Sequence, residues 1–225
     1  MLSQDDMAFL GSCLPVLKGL NDSDRRSVAV TGSESSFGAG EIIMNRGREC
    51  NGLVVVKSGQ LRVFVELESG KEITLYRLLS ADPCILTASC VLKNISFEVT
   101  LEVEKPSEVF FIPALTWKRL ADRYDAVREF SSDLVAERFS EVMWVMEQMV
   151  SKNMGQRISA FLLDQSALEG SPTLSITHET IAKNLGTARE VVSRSLKYLE
   201  GEGLLEVSRG QIRLTDLKRL RVLGR

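Results

Sequence analysis

The sequence is poor in the side chains that hold catalytic metals and move protons near neutral pH. Its 225 residues include one histidine, His178. A single imidazole excludes zinc sites and metal-binding barrels that need two or three histidine ligands. No nucleophile–base pair, Walker loop or dinucleotide fingerprint is present. We therefore predict that the protein is not an enzyme, and a β-domain enzyme fused to a helical tail is kept only as an alternative.

Cysteine is also scarce, and none of the four cysteines lies in a Cys-x-x-Cys pair. Reduced thiols are therefore the default expectation. Cys50, Cys84 and Cys90 all fall in the β-rich part of the sequence. If these three thiols converge they could bind a metal or sense redox state. The alternative, which is the commoner fate of free cysteine, is that they are small buried packing residues.

Long apolar runs and a basic leader are absent as well. No run approaches the roughly 18 residues that cross a bilayer, and Met1–Leu10 does not resemble a secretory signal. We expect a cytoplasmic protein with no membrane partner.

Charge is distributed unevenly, although the net charge is only −2. Residues 151–225 hold 12 Lys and Arg against 8 Asp and Glu, and residues 1–150 hold 16 against 22. A small basic part joined to a larger acidic part favours a phosphate-contacting domain with a separate control domain. Chance asymmetry is the alternative.

The sequence pattern between Glu34 and Pro113 is that of short strands separated by turns. We place turns at Ser58-Gly59 and Lys105-Pro106-Ser107, among others. Many short strands with tight turns predict a small antiparallel barrel or sandwich. The predicted strands are Glu41–Met44, Leu53–Lys57, Leu61–Leu67, Ile73–Leu79, Phe97–Val103 and Val109–Ile112.

From Trp117 to Lys152 the apolar residues recur at helical spacing, and this stretch contains no glycine or proline. A helix of this length is difficult to bury against one small barrel, so its spare face predicts pairing with a second copy of the chain. The alternative is that this helix is buried entirely inside one subunit. The predicted interface residues are Phe130, Leu134, Phe139, Val142, Met146 and Met149.

Residues 174–214 read as helix, turn, helix, strand, turn and strand. Glu179–Leu185 forms a short helix that ends at Gly186, and Thr187 with Glu190 fits a capping box that starts the second helix. The pattern is that of a helix-turn-helix followed by a wing. Predicted DNA-binding residues are Thr177, Thr187, Arg189, Glu190, Ser193, Arg194, Lys197 and, at the tip of the wing, Arg209.

These residues resemble the C-terminal signature of the CRP/FNR family of bacterial regulators. The similarity lies in Ile176–Ala182, Thr187–Arg194 and Ser208–Ile212. The pattern of short strands followed by a long helix also resembles the family, so the similarity covers nearly the whole chain. One departure is Ser195, which stands where an apolar residue is usual.

The resemblance implies an α+β fold with an antiparallel, jelly-roll-like β-roll as effector domain (residues 1–115). A dimerisation helix (116–152) and a winged helix-turn-helix (153–225) follow. It further implies a homodimer on palindromic double-stranded DNA, a transcription activator role and contact with RNA polymerase. Arg189, Glu190 and Arg194 match one branch of the family, and Glu190, Ser193 and Arg194 match the FNR branch. The half-site could therefore lean toward TGTGA or TTGAT.

The effector is not specified by the sequence. The N-terminal cysteine group of the iron–sulfur branch is missing, and haem would need Cys or Met as ligand because His178 lies in the DNA-binding part. A haem or iron–sulfur cofactor, and a constitutive DNA binder without an effector, remain alternatives.

We predict that cyclic AMP does not bind tightly. The family's phosphate cassette would fall at about Ala81–Ser96, which has no glycine, and no arginine occurs between Leu78 and Trp117. A cyclic phosphate would lose its hydration with little compensation. Titration calorimetry should detect no complex, and micromolar affinity would contradict the prediction.

Overall fold

The computed structural model describes residues 1–44, 52–84 and 99–224. Among these residues no helix is both long and apolar enough to span a lipid bilayer. The described chain divides into two compact units, residues 1–65 with 75–142 and residues 66–74 with 143–224.

The first unit is an antiparallel sheet flanked by helices. Its elements are α1 (Gln4–Cys13), a short 3₁₀ helix (Pro15–Gly19), α2 (Asp22–Thr31), β1 (Ser33–Phe37), β2 (Ile42–Met44), β3 (Leu53–Glu66), β4 (Glu72–Leu78), β5 (Pro83–Cys84), β6 (Thr100–Ile112), α3 (Ala114–Arg123) and, as far as Val142, α4 (Asp125–Ser151). The strand order is β1-β6-β3-β4, with β2 also paired to β6 and β5 to β3.

The two predicted turns at Ser58-Gly59 and Lys105-Pro106-Ser107 are wrong, because β3 and β6 each run through them as one strand. Register shifts between Val56 and Leu61 absorb the irregularity. Pro106 has no N–H to give to the ladder. The Ser107 hydroxyl accepts a hydrogen bond from the Gln60 N–H at 3.0 Å, which replaces a backbone partner.

One further element differs from the sequence prediction. The strand Ser33–Phe37 was not predicted, because its sequence is polar and its pairing partners on β6 lie 70 to 78 residues away. The helix before this strand, α2, is capped by Asn21, whose side-chain oxygen accepts from the Asp24 N–H.

The continuous helix predicted over Trp117–Lys152 is interrupted, since α3 ends at Arg123 and α4 begins at Asp125. Trp117 is fully buried and donates from Nε1 to the Ser131 hydroxyl at 3.0 Å, which fixes the start of α4 against α3. The Phe130 ring meets the Trp117 ring edge-on with centroids 6.5 Å apart.

The second unit is a helical domain with a three-stranded sheet. The elements are α5 (Met154–Glu169), β7 (Thr173–Leu174), α6 (His178–Leu185), α7 (Arg189–Gly201), β8 (Leu205–Ser208), β9 (Gln211–Leu214) and α8 (Leu217–Leu223). The strand order is β7-β9-β8. The core includes Ile158, Leu162, Ile181, Leu196 and Leu214.

The bulge between β3 and β6 predicts a strong requirement for glycine at position 59. Gly59 has φ +94°, and a Cβ there would lie 2.3 Å from the Pro106 carbonyl oxygen. We expect Gly59→Ala to lower the free energy of unfolding by about 2–4 kcal/mol in urea titrations. Gly40→Ala is the control, because Gly40 also has positive φ but a Cβ there meets nothing within 4 Å. Equal losses for the two variants would contradict the steric argument.

Candidate nucleic-acid interface

The short helix α6 is defined at both ends by local chemistry. Thr177 caps its start, with the side-chain oxygen accepting from the Thr180 N–H at 3.0 Å. Gly186 ends it in the left-handed conformation at φ +65°, as predicted. Ile181 and Ala182 are buried, and the small Ala182 allows close packing within the second unit.

The predicted capping box of Thr187 and Glu190 is wrong. The N-cap of α7 is Ala188, which makes no side-chain capping bond. The Thr187 N–H instead donates to the Ala182 carbonyl at 3.1 Å and closes the end of α6. Because a three-residue turn joins the helices, Thr187 serves the helix behind it, and Glu190 has no capping role.

Helix α7 has one buried face and one charged face. Val192, Leu196 and Leu199 are fully buried. The opposite face brings together the predicted residues Arg189, Glu190, Ser193 and Arg194, which line one open hollow. Exposed Lys197 lies one turn further along.

The charges on this face have no ionic partners within the described part of the chain. Arg189, Glu190, Arg194 and Lys197 form no ion pair there. Arg213, by contrast, is held by Glu206 on the neighbouring strand at 2.7 Å. The outer face of α7 thus keeps its donors and acceptors available for a ligand, as a base-reading helix requires.

The wing lies beside the start of both helices. Strands β8 and β9 meet at Arg209 and Gly210, and Gly210 has φ +75°. A cleft of about 330 Å³ is lined by Thr177, His178, Arg189 and Arg209, together with neighbouring wing residues. The predicted wing residue and the predicted helix residues therefore border one concave surface.

His178 is a member of this surface that the sequence prediction missed. Its Nδ1 lies 2.9 Å from the Ser193 hydroxyl on α7. The two residues are 15 positions apart on different helices, and no spacing rule in the sequence links them.

A second feature missed from sequence is the segment Glu66–Thr74, which packs within the second unit against α6. The Thr74 hydroxyl donates to the Asn184 side-chain oxygen at 2.8 Å, and Glu72 lies 3.4 Å from Lys183. A backbone bridge joins Ile73 to Leu185 at the C-terminal end of α6.

The cysteine hypothesis is addressed only in part, since Cys50 and Cys90 lie outside the described residues. Cys84 is buried, and its Sγ lies 3.9 Å from the Tyr76 hydroxyl. Burial raises the pKa of Tyr76 well above its ordinary value. Within the described ranges no group of three His, Cys, Asp or Glu residues could hold a metal ion.

An arginine of α4 lies beside this buried phenol. The Arg138 guanidinium stacks over the Tyr76 ring at 4.9 Å and pairs with Glu141 at 2.7 Å. Its Nε is buried and has no hydrogen-bond partner among the described residues.

Helix α4 divides the predicted interface residues into two groups. Phe130 and Leu134 pack into the core of the first unit, so they do not belong to a free face. Val142 is half-buried, and Phe139, Met146 and Met149 are exposed. The exposed group also includes Met143, Trp144 and Val150, which the prediction did not contain.

Two family models match separate parts of the chain. Residues 34–124 match the model of a cyclic nucleotide-binding domain, and residues 156–223 match that of a Crp-like helix-turn-helix domain.

Similar proteins match over nearly the whole length. A solved transcriptional regulator of the CRP/FNR family from Eubacterium rectale is 42% identical with a TM-score of 0.91, covering 95% of this chain and 99% of that one. The transcriptional activator protein FnrA of Stutzerimonas stutzeri is 25% identical over 94% of this chain and 88% of its own length. The transcriptional regulator flp of Lacticaseibacillus casei is 26% identical, over 90% of this chain and 92% of its own length.

The caps of the two helices predict different responses to mutation. We expect Thr177→Val to lower the free energy of unfolding by about 1 kcal/mol, because it removes the capping oxygen of α6. Thr187→Val is the matched control and should change it by much less, because only its backbone N–H closes α6. Chemical denaturation of both variants checks this. A larger loss of unfolding free energy for Thr187→Val than for Thr177→Val would support the capping box of Thr187 and Glu190.

Proposed function

Because the chain belongs to the CRP/FNR family of transcription regulators, we propose that it acts as a homodimer that reads a palindromic operator in double-stranded DNA. The helix-turn-helix supplies the DNA-binding part, and the β-domain supplies control. Its relatives are named as transcriptional regulators, which supports a regulatory and non-enzymatic role.

The observation that carries this proposal is the charged face of α7, whose side chains form no ion pair with the residues that the structure describes. A buried stripe orients Arg189, Glu190 and Arg194 outward, and arginine and glutamate side chains suit guanine edges and cytosine amines respectively. In our proposal Arg209 on the wing, with Thr177 and Thr187 at the helix ends, contacts backbone phosphates that set the register.

The homodimer proposal is supported by the apolar exposed part of α4. Phe139 is 64% exposed, Trp144 51% and Met146 53%, which is unusual for large apolar side chains on one helix. A second copy placed along the same helix would bury these side chains and would hold two α7 helices about 34 Å apart.

Control by an effector is favoured over constitutive binding by the environment of Arg138. The buried Arg138 Nε–H has no hydrogen-bond partner among the described residues, and such a group costs free energy that a bound acceptor would recover. We therefore propose an effector in the β-domain, with cyclic AMP disfavoured by the sequence and the cysteine-based alternatives still open. Gel shifts with and without oxidant, nitric oxide or haem separate a redox or haem sensor from a constitutive binder.

Mutation of Arg194 tests whether the charged face of α7 contacts DNA bases. We expect Arg194→Ala to weaken binding to the selected operator by about 10–100-fold, because one base contact is worth about 1–3 kcal/mol. Binding is measured by fluorescence anisotropy at fixed salt. Lys218→Ala, which removes an exposed cation from α8, is the control and should leave the affinity within about threefold. Unchanged operator affinity in Arg194→Ala would contradict the proposal that α7 contacts the DNA bases.

Mutation of Met146 tests whether α4 forms the dimer interface. We expect Met146→Glu to raise the dimer dissociation constant at least about tenfold, because two like charges would be buried near the two-fold axis. Sedimentation equilibrium measures this, with Leu115→Glu as control, since Leu115 is 83% exposed on α3. An unchanged dimer in Met146→Glu would exclude α4 as the interface.

A further inference from the structure

The contact between His178 and Ser193 constrains a hydroxyl group on the proposed reading face. The Ser193 Oγ lies 2.9 Å from His178 Nδ1 and 3.0 Å from the Arg189 carbonyl oxygen. Both neighbours are in hydrogen-bond range of the same oxygen, which carries one proton.

With the Ser193 hydroxyl donating to the Arg189 carbonyl, the two contacts define where the protons lie. A carbonyl oxygen can only accept, so the Ser193 proton goes to Arg189 when that bond is made. The His178 contact is then satisfied only if Nδ1 carries a hydrogen and donates it to Ser193. The imidazolium form also has a hydrogen on Nδ1, so both protonation states with Nδ1–H are compatible with the pair of contacts.

This arrangement leaves the Ser193 oxygen with a lone pair and no free proton. Ser193 borders the hollow formed with Arg189, Glu190 and Arg194, so that lone pair belongs to the surface proposed to meet base edges. In the major groove, adenine and cytosine present amine donors, whereas guanine O6 and thymine O4 are acceptors. An acceptor-only hydroxyl is matched by an amine and opposed by a carbonyl.

We propose that His178 is a positioning residue that sets base preference through Ser193, so that the base facing Ser193 is an adenine or a cytosine. The inference rests on the proposed DNA-binding function and adds the residue that restricts one of its readers. Without the His178 donor, the Ser193 hydroxyl can turn and donate to guanine or thymine, and the preference relaxes.

The first test is spectroscopic and needs no DNA. His178 is the chain's one histidine, so its two ring nitrogens give unambiguous signals in nitrogen-15 spectra of the uniformly labelled full-length protein. At alkaline pH we expect the neutral Nδ1–H tautomer, and its population should fall in Ser193→Ala. A dominant Nε2–H tautomer in the wild-type protein would overturn the proposal.

The second test is selection of operators from a randomised duplex library by the wild type, His178→Ala, His178→Asn and Ser193→Ala. We expect His178→Ala to lose about fivefold of discrimination at one symmetric pair of positions, which corresponds to one hydrogen bond. His178→Asn should keep the preference, because its side-chain amide offers an N–H near the position of Nδ1. In the Ser193→Ala background, His178→Ala should have no further effect on base preference.

The outcomes separate this inference from the proposed function. A palindrome with identical base preferences in wild type and His178→Ala overturns the inference and leaves the function standing. Additive effects of the two mutations, with a reduced salt dependence in His178→Ala, would show a direct phosphate contact and also overturn it. Failure of the wild type to select any palindrome rejects the proposed function, and the inference with it.

Discussion

Burial of one side of α7 constrains what the second unit can present to solvent. Val192, Leu196 and Leu199 have no exposed surface, and together they anchor the helix in the core of the unit. Since successive residues are about 100° apart around a helix, this anchoring fixes the direction of every other side chain on α7. The outward direction of Arg189 and Arg194 is therefore a consequence of apolar packing and needs no interaction of their own.

Helix α4 meets two environments along its length. Its first half contributes Phe130 and Leu134 to the core of the first unit, with Trp117 and Ser131 fixing the helix start. Its second half leaves large apolar side chains such as Met146 exposed. The change from buried to exposed apolar side chains occurs within one uninterrupted helix.

The sequence was informative where one residue decides the local geometry. Gly186 could be predicted as a helix end because the left-handed conformation favours glycine, and the structure confirms it. Strand Ser33–Phe37 could not, because a polar strand is stabilised by pairing that is remote in sequence. The turn predicted at Pro106 is wrong because β6 continues through this position, where the Ser107 hydroxyl accepts from the Gln60 N–H in place of a backbone carbonyl. The contact of His178 with Ser193 depends on how two helices cross, which no local pattern encodes.

The central claim is that two copies of α7, held by paired α4 helices, occupy successive major grooves on one face of the duplex. The most direct test is the affinity for a selected operator whose half-sites are moved apart by about half a helical turn, roughly five base pairs. We expect the operator affinity to fall about 100-fold or more with half a turn and to recover partly with a full turn. An affinity that does not change with half-site spacing would contradict paired α7 helices on one face of the duplex.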